Sequence, residues 1–261
     1  MKTMITVQAI PAFTDNYIWC VINQRHRAAL IIDPGEAKPV LNYLNRHNLS
    51  LSAVFITHHH GDHCAGLKTL LAHYPAPVYG PKFEPIDEVS HLVAEPQEIV
   101  LSQLELTFKV LDTPGHTKGH IVFYSDEMLF CGDTLFAAGC GRLFEGSPLE
   151  MFTSLQKLTA LPDSTKIYCS HEYTEANLKF AQVVEPHNIT IKNKLHTVNQ
   201  LRAHHLITLP STLAEEKLTN PFLRCHIPEI IQAAQAYANH PLTSQTEIFA
   251  TIRAWKNNFK A

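Results

Sequence analysis

Thr57-His58-His59-His60-Gly61-Asp62-His63 packs several metal-ligand side chains into one short segment. His58 and His60 are two residues apart, so in an extended chain their imidazoles project to the same side. Asp62 and His63 follow at once, and Cys64 to Tyr74 reads as a helix with Leu67, Leu70 and Leu71 on one face. The segment is therefore expected to be a strand end, a short turn and a helix start. Such a turn can aim one pair of side chains at one ion and the next pair at a neighbouring ion. Four ligands this close exceed what a single tetrahedral zinc ordinarily takes from one loop, so the expectation is two metals. The bland alternative is a solvated polar loop in a chain that carries 17 histidines. An affinity tag does not fit, because the run is internal and follows the apolar stretch Ala53-Val54-Phe55-Ile56.

Three more apolar runs end on ligand-type residues. Leu111-Asp112-Thr113-Pro114-Gly115-His116 turns at Pro-Gly and presents His116; Leu129-Phe130-Cys131-Gly132 ends at Asp133; Ile167-Tyr168-Cys169-Ser170 ends at His171. Taken singly, each is weak, since a strand-end Asp is more often a turn former or cap. Together they mean that four loops begin where buried strands stop, and such loops can converge at one edge of the sheets.

The elements behind these loops alternate. Strand-like runs cover residues 5–10, 17–22, 28–32, 53–56, 104–111, 120–124, 128–131 and 166–169, and helical spacing appears at Val40-Leu41-Leu44 and Leu67-Leu70-Leu71. Ser147-Pro148-Leu149-Glu150 opens a helix through Leu158 with a capping box and Pro at the first helical position. From Thr174 onward strand signals vanish. Helical stretches at 175–184, 188–206, 229–239 and 245–258 are separated by prolines, and Ser244 with Glu247 forms another capping box. The reading is an α/β domain over residues 1–173, two sheets sandwiched by helices, and a small all-helical domain over 174–261.

Composition narrows the setting. The 261 residues allow one large core or a main domain with a smaller one, and 45% hydrophobic with 17% charged residues is ordinary for a soluble protein. A formal charge of −3 gives no general attraction to nucleic acid or to an anionic membrane. Pro11, Asp15 and Asn16 interrupt any signal-peptide core near the N-terminus, and no run approaches transmembrane length. Cysteines 20, 64, 131, 140, 169 and 225 form no CxxC pair and are expected to be reduced and mostly buried, which suits a cytoplasmic enzyme.

THHHGDH, TPGHTKGH, GDTLF and CSHEYT together resemble the metallo-β-lactamase superfamily, and the match runs nearly end to end. The Gly139-Cys140-Gly141-Arg142 segment, Asn220-Pro221-Phe222-Leu223-Arg224 and Arg253-Ala254-Trp255-Lys256 narrow the resemblance to the glyoxalase II, or hydroxyacylglutathione hydrolase, group. The resemblance implies an αββα sandwich of two mixed sheets flanked by helices. It implies His58, His60 and His116 on one divalent ion, Asp62, His63 and His171 on a second, and Asp133 bridging both. Asp62 and Asp133 would then position the hydroxide between the ions. His59 falls outside the set. Zinc heads the candidates, and nitrogen and oxygen ligands equally admit iron or manganese.

The glutathione-binding positions implied by the resemblance fall on Arg142, Phe144, Tyr173, Arg253 and Lys256. Phe144 stands where relatives can have tyrosine, and Gly61 where a bulkier residue is common. Without the resemblance, Arg253 and Lys256 read as a solvated helix face, since they are three apart. The implied reaction is hydrolysis of S-D-lactoylglutathione to D-lactate and glutathione by a monomeric enzyme with no nucleic-acid or membrane partner. A glutathione persulfide dioxygenase using one iron is the alternative, and the basic helical tail argues against it.

Overall fold

The computed structural model describes residues 5–260, and the chain gathers into two compact units. One runs up to Asp112 and includes Lys118–Gly132; the other holds Thr113–Thr117 and everything from Asp133 onward.

The first unit begins with a mixed sheet ordered β1 (Ile5–Ala12), β2 (Asn16–Asn23), β3 (Ala28–Ile32), β4 (Ser50–Phe55), β5 (Val78–Pro81) and β6 (His91–Val93). β1, β2 and β3 pair antiparallel, with Ile10 opposite Ile18. Helix α1 (Ala37–His47) then supplies the crossover that parallel pairing of β3 with β4 requires. Every residue of β2 and β3 is buried, so these strands read as continuous apolar runs rather than alternating ones. Val40 and Leu44 of α1 cover one face of this sheet with Leu67 and Leu70 of a later helix.

Four antiparallel strands come next, β7 (Glu98–Leu101), β8 (Leu106–Asp112), β9 (Ile121–Ser125) and β10 (Met128–Gly132). Phe55 of β4 stacks on Phe123 of β9 at 4.3 Å and meets Phe108 of β8 edge-on at 5.1 Å, so the two sheets share an aromatic core. The run expected as one strand from Leu104 begins instead at Leu106. Glu105 has φ 56°, which turns the chain back onto β7.

The helix expected over 64–74 is broken into α2 (Gly61–Cys64) and α3 (Leu67–His73). Gly66 is the reason: its N–H donates to the Pro34 carbonyl at 3.0 Å, and a Cβ there would stand 2.3 Å from that oxygen. The loop after β3 therefore presses directly on the joint.

The second unit carries the hairpin β11 (Leu135–Phe136) and β12 (Gly139–Cys140), helix α4 (Pro148–Thr159) and β13 (Lys166–Cys169). Helices α5 (Thr174–Val184) and α6 (Ile189–Ala203) follow. The two-residue strand β14 (Ser211–Thr212) leads into α7 (Leu213–Thr219), α8 (Pro228–Ala238) and α9 (Gln245–Asn258). The capping boxes of α4 and α9 form as the sequence specifies. The tail is not free of strand, because β14 pairs antiparallel with β13; two residues are too few to leave a periodic signal. Leu178 and Ala181 of α5 pack on Ile191 and Val198 of α6.

Buried Glu216 accepts from Lys194 Nζ at 3.0 Å and from the Ala138 N–H at 2.6 Å. Asn220 Nδ2 donates to the Gly139 carbonyl at 2.9 Å, so α7 and the residue after it fix the β11–β12 hairpin.

Candidate metal centre

In the first unit, β4 ends at Phe55 and the chain runs through Ile56 into the histidine segment. Buried Asp33, at the end of β3, organises that segment. Its Oδ1 accepts the Thr57 N–H at 2.8 Å, and its Oδ2 accepts the Thr57 hydroxyl at 2.8 Å and lies 3.0 Å from His63 Nδ1. Because the Thr57 hydroxyl donates to Asp33, its oxygen accepts from His58 Nδ1 at 3.0 Å. Both rings are thereby set in the tautomer that carries the proton on Nδ1 and presents the Nε2 lone pair to a metal. Asp33 does this at φ 53°, a left-handed conformation that Asp tolerates better than most residues.

The resulting spacings suit a metal. His58 Nε2 and His60 Nδ1 stand 3.1 Å apart, and His63 Nε2 lies 3.4 Å from Asp62 Oδ2. Two ligand atoms on a tetrahedral ion with bonds of about 2.0–2.1 Å stand roughly 3.3 Å apart. Asn16 Nδ2 donates to Asp62 Oδ2 at 3.0 Å and steadies that carboxylate. His59 turns elsewhere: its ring Nδ1 and its backbone N–H both meet Glu84 Oε2, at 2.9 and 2.7 Å. Gly61 needs no glycine, since an added Cβ would meet nothing within 4 Å. Gly132, immediately before Asp133, does need one. It has φ 48°, and a Cβ would fall 2.4 Å from Thr57 Oγ1 and 2.8 Å from His120 Nε2.

The second unit holds the other three ligand candidates. The Thr113–Thr117 loop is anchored where Ser154 of α4 donates to the Pro114 carbonyl at 2.8 Å and the Phe144 N–H to the His116 carbonyl at 3.1 Å. His116 Nδ1 lies 2.8 Å from the Arg142 carbonyl; a carbonyl only accepts, so the proton is on Nδ1 and Nε2 carries the lone pair. Nearly buried Asp133 divides its two oxygens. Oδ2 lies 3.5 Å from His116 Nε2, and Oδ1 lies 3.4 Å from His171 Nε2. A carboxylate with one oxygen turned to each of two imidazoles has the geometry of a bridge between two ions. The His171 ring stacks on Tyr173 at 4.7 Å and 6°, and Phe136 meets it edge-on.

His116 and Asp133 open into a cavity of about 450 Å³, lined also by Phe136, Arg142, Phe144, Tyr173, Arg253 and Lys256. All five residues assigned to substrate from the sequence therefore share one cavity. Arg253 and Lys256 do not form a solvated helix face. Arg253 is 5% exposed, its Nη1 donates to the Cys140 carbonyl at 2.6 Å, and its Nε–H has no hydrogen-bond partner among the described residues. Lys256 donates to the Ala176 carbonyl at 3.2 Å and lies over the Phe180 and Phe259 rings. Burial, then the positive charges of Arg253 and Arg142, depress its ammonium to a pKa of about 8. Phe144 is well exposed and meets the His116 ring edge-on at 5.3 Å.

Asp33, the Thr57 hydroxyl and Glu84 are parts of the site that sequence patterns did not single out. Ile31-Ile32-Asp33 carries the same strand-end signature as the other loops, so a signal for Asp33 existed; Glu84 leaves no local pattern. The six cysteines form no disulfide and all but Cys64 are buried, as expected. Burial pushes the Cys20 and Cys169 thiols up to about 12, so neither is a nucleophile. No helix among the described residues is long and apolar enough to cross a membrane.

Comparison with known proteins shows the family and the fold. Residues 14–171 match the model of the metallo-beta-lactamase superfamily, and residues 172–259 match that of the hydroxyacylglutathione hydrolase C-terminus. The chain is 51% identical to a hydroxyacylglutathione hydrolase of Nitrosomonas europaea over 257 residues, covering 98% of this chain and 97% of the relative. It is 50% identical to one of Photobacterium profundum, covering 98% and 100%. Among solved structures, ETHE1 from Myxococcus xanthus aligns with a TM-score of 0.65 at 25% identity, covering 97% of this chain and 98% of that one. TTHA1623 in a di-iron-bound form aligns at 0.59 and 23% identity, covering 84% and 100%. The fold is thus the αββα sandwich with a helical C-terminal region, and the chain belongs to the hydroxyacylglutathione hydrolase family of the metallo-β-lactamase superfamily.

Proposed function

We propose that the chain hydrolyses S-2-hydroxyacylglutathione thioesters, S-D-lactoylglutathione foremost, to the hydroxy acid and glutathione. His58, His60 and His116 would hold one divalent ion and Asp62, His63 and His171 the second, with Asp133 shared between them; zinc is the leading candidate. The division of Asp133's oxygens between His116 and His171, beside a cavity lined by Arg142, Arg253 and Lys256, carries this reading. Two ions, when bound, supply a nucleophile from water at neutral pH and polarise the thioester carbonyl.

The chain's own residues do the rest. Thr57, Asp33 and the Arg142 carbonyl keep His58, His63 and His116 in the tautomer that binds without giving up a proton. Asp62, held by Asn16, and Asp133 orient the attacking oxygen. Glutathione carries two carboxylates, and the three cations supply local positive charge that a chain of net −3 otherwise lacks. Tyr173 and Phe144 line the same cavity and would contact the glutathione moiety. The departing thiol has a pKa near ~8.5, so it leaves as thiolate without a strong general acid. Residues 1–173 would then be catalytic and 174–261 would serve substrate binding, in a cytoplasmic monomer; six free cysteines suit that compartment.

The test is a pair of assays on purified protein loaded with metal. Cleavage of S-D-lactoylglutathione without oxygen consumption is expected. Oxygen uptake with glutathione persulfide and no thioester cleavage would establish the dioxygenase alternative instead.

A further inference from the structure

Glu84 lies in the connection between β5 and β6, with its carboxylate buried, and takes no part in the ligand set. Its Oε2 accepts the His59 N–H at 2.7 Å and lies 2.9 Å from His59 Nδ1; its Oε1 accepts the Gly119 N–H at 3.0 Å. The first anchor sits between two metal-ligand candidates. The second sits one residue before His120, whose ring stacks on His58 at 4.7 Å and 25°. One carboxylate thus secures the ligand loop and the segment that backs His58. The same carboxylate holds both the backbone and the ring of His59, so the segment between His58 and His60 is pinned at its middle residue.

We infer that Glu84 is a positioning residue for the ion held by His58 and His60, and that it preforms that half of the centre before metal arrives. The inference rests on the metal assignment proposed above. His63 and Asp62 have side-chain anchors of their own in Asp33 and Asn16, so Glu84 bears mainly on the first ion. Both carboxylate oxygens are needed. In Glu84→Gln the side chain has one oxygen and one NH2, and in either orientation the NH2 faces an N–H group, of His59 or of Gly119.

The experiment titrates cobalt(II) into metal-free protein and follows the ring N–H proton signals of His58 and His116 for the first ion and of His63 for the second. In the wild type all three are expected to shift. Glu84→Gln is expected to weaken the first ion about 10–100-fold, the usual cost of losing a residue that orients a ligand, and to weaken the second far less. Equal weakening of both ions would make Glu84 a general structural residue, and no weakening would remove its role; either overturns the inference alone. Wild-type protein that binds no cobalt at His58 overturns the metal assignment as well. If Glu84→Gln does not fold, hydrogen exchange in metal-free wild-type protein decides. The His59 and Gly119 amides are expected to be protected, and exchange at the rate of an open chain would refute the preformed loop.

Discussion

Replacing Lys256 by methionine separates substrate recognition from chemistry and from stability. The ammonium spends one donor on the Ala176 carbonyl and faces the cavity beside Arg253 and Arg142, so at least one further N–H can meet a glutathione carboxylate. A charge-assisted hydrogen bond is worth about 1.5–3 kcal/mol, or roughly a 10–150-fold change in binding. Because the contact is made equally in the ground and transition states, Lys256→Met is expected to raise KM by that factor at pH 7 and to leave kcat nearly intact.

The pKa of about 8 adds a signature in pH. Below pH 8 the folded protein carries the ammonium; above it the side chain is neutral and the contact weakens. The wild-type KM should therefore climb toward that of the variant as pH rises through 8 to 9.5. Stability moves the other way. The unfolded chain holds this proton up to an ordinary pKa of about 10.5, so between pH 8 and 10.5 it binds more protons than the folded one, and folding gains as pH rises. Methionine removes the buried charge, so the variant should melt higher than wild type at pH 7 while binding substrate worse. Steady-state kinetics on S-D-lactoylglutathione from pH 6.5 to 9.5, with a small thioester lacking the peptide as control, reads the first effect and thermal melts the second. A KM ratio that stays flat to pH 9.5, or a kcat loss equal on both substrates, would refute the reasoning.

Asp133→Ala should release both ions together, whereas His116→Ala should weaken mainly one; metal analysis after dialysis distinguishes them. Asp33→Asn should weaken both ions by about 10–100-fold, because Asp33 orients His58 through Thr57 and His63 directly; isothermal titration checks this. Gly61→Ala should leave metal content and kcat unchanged, since the added methyl enters open space; metal analysis and steady-state kinetics read both.

The residues that end strands were legible because a buried apolar run followed by a polar ligand type is a local pattern. His116, Asp133 and His171 all came from it, and the capping boxes of α4 and α9 are equally local. Glu84 reaches His59 across 25 residues from a proline-flanked loop, and no periodicity records such a bond. Asp33 had the right signature, yet Asp before Pro-Gly reads first as turn chemistry. The break between α2 and α3 depends on how closely Pro34 approaches Gly66, which helical spacing does not encode. Arg253 and Lys256 were ambiguous for a related reason: spacing of three places both on one helix face without saying whether that face is wet. The structure shows it lining the cavity.

A two-ion centre that cleaves a glutathione thioester is tested most directly by titrating zinc into metal-free protein. Bound metal and S-D-lactoylglutathione hydrolysis are followed together. Two ions per chain are expected, with hydrolysis appearing as they fill and vanishing on chelation. Full hydrolysis by metal-free protein, or saturation without any zinc bound, would contradict the two-ion centre.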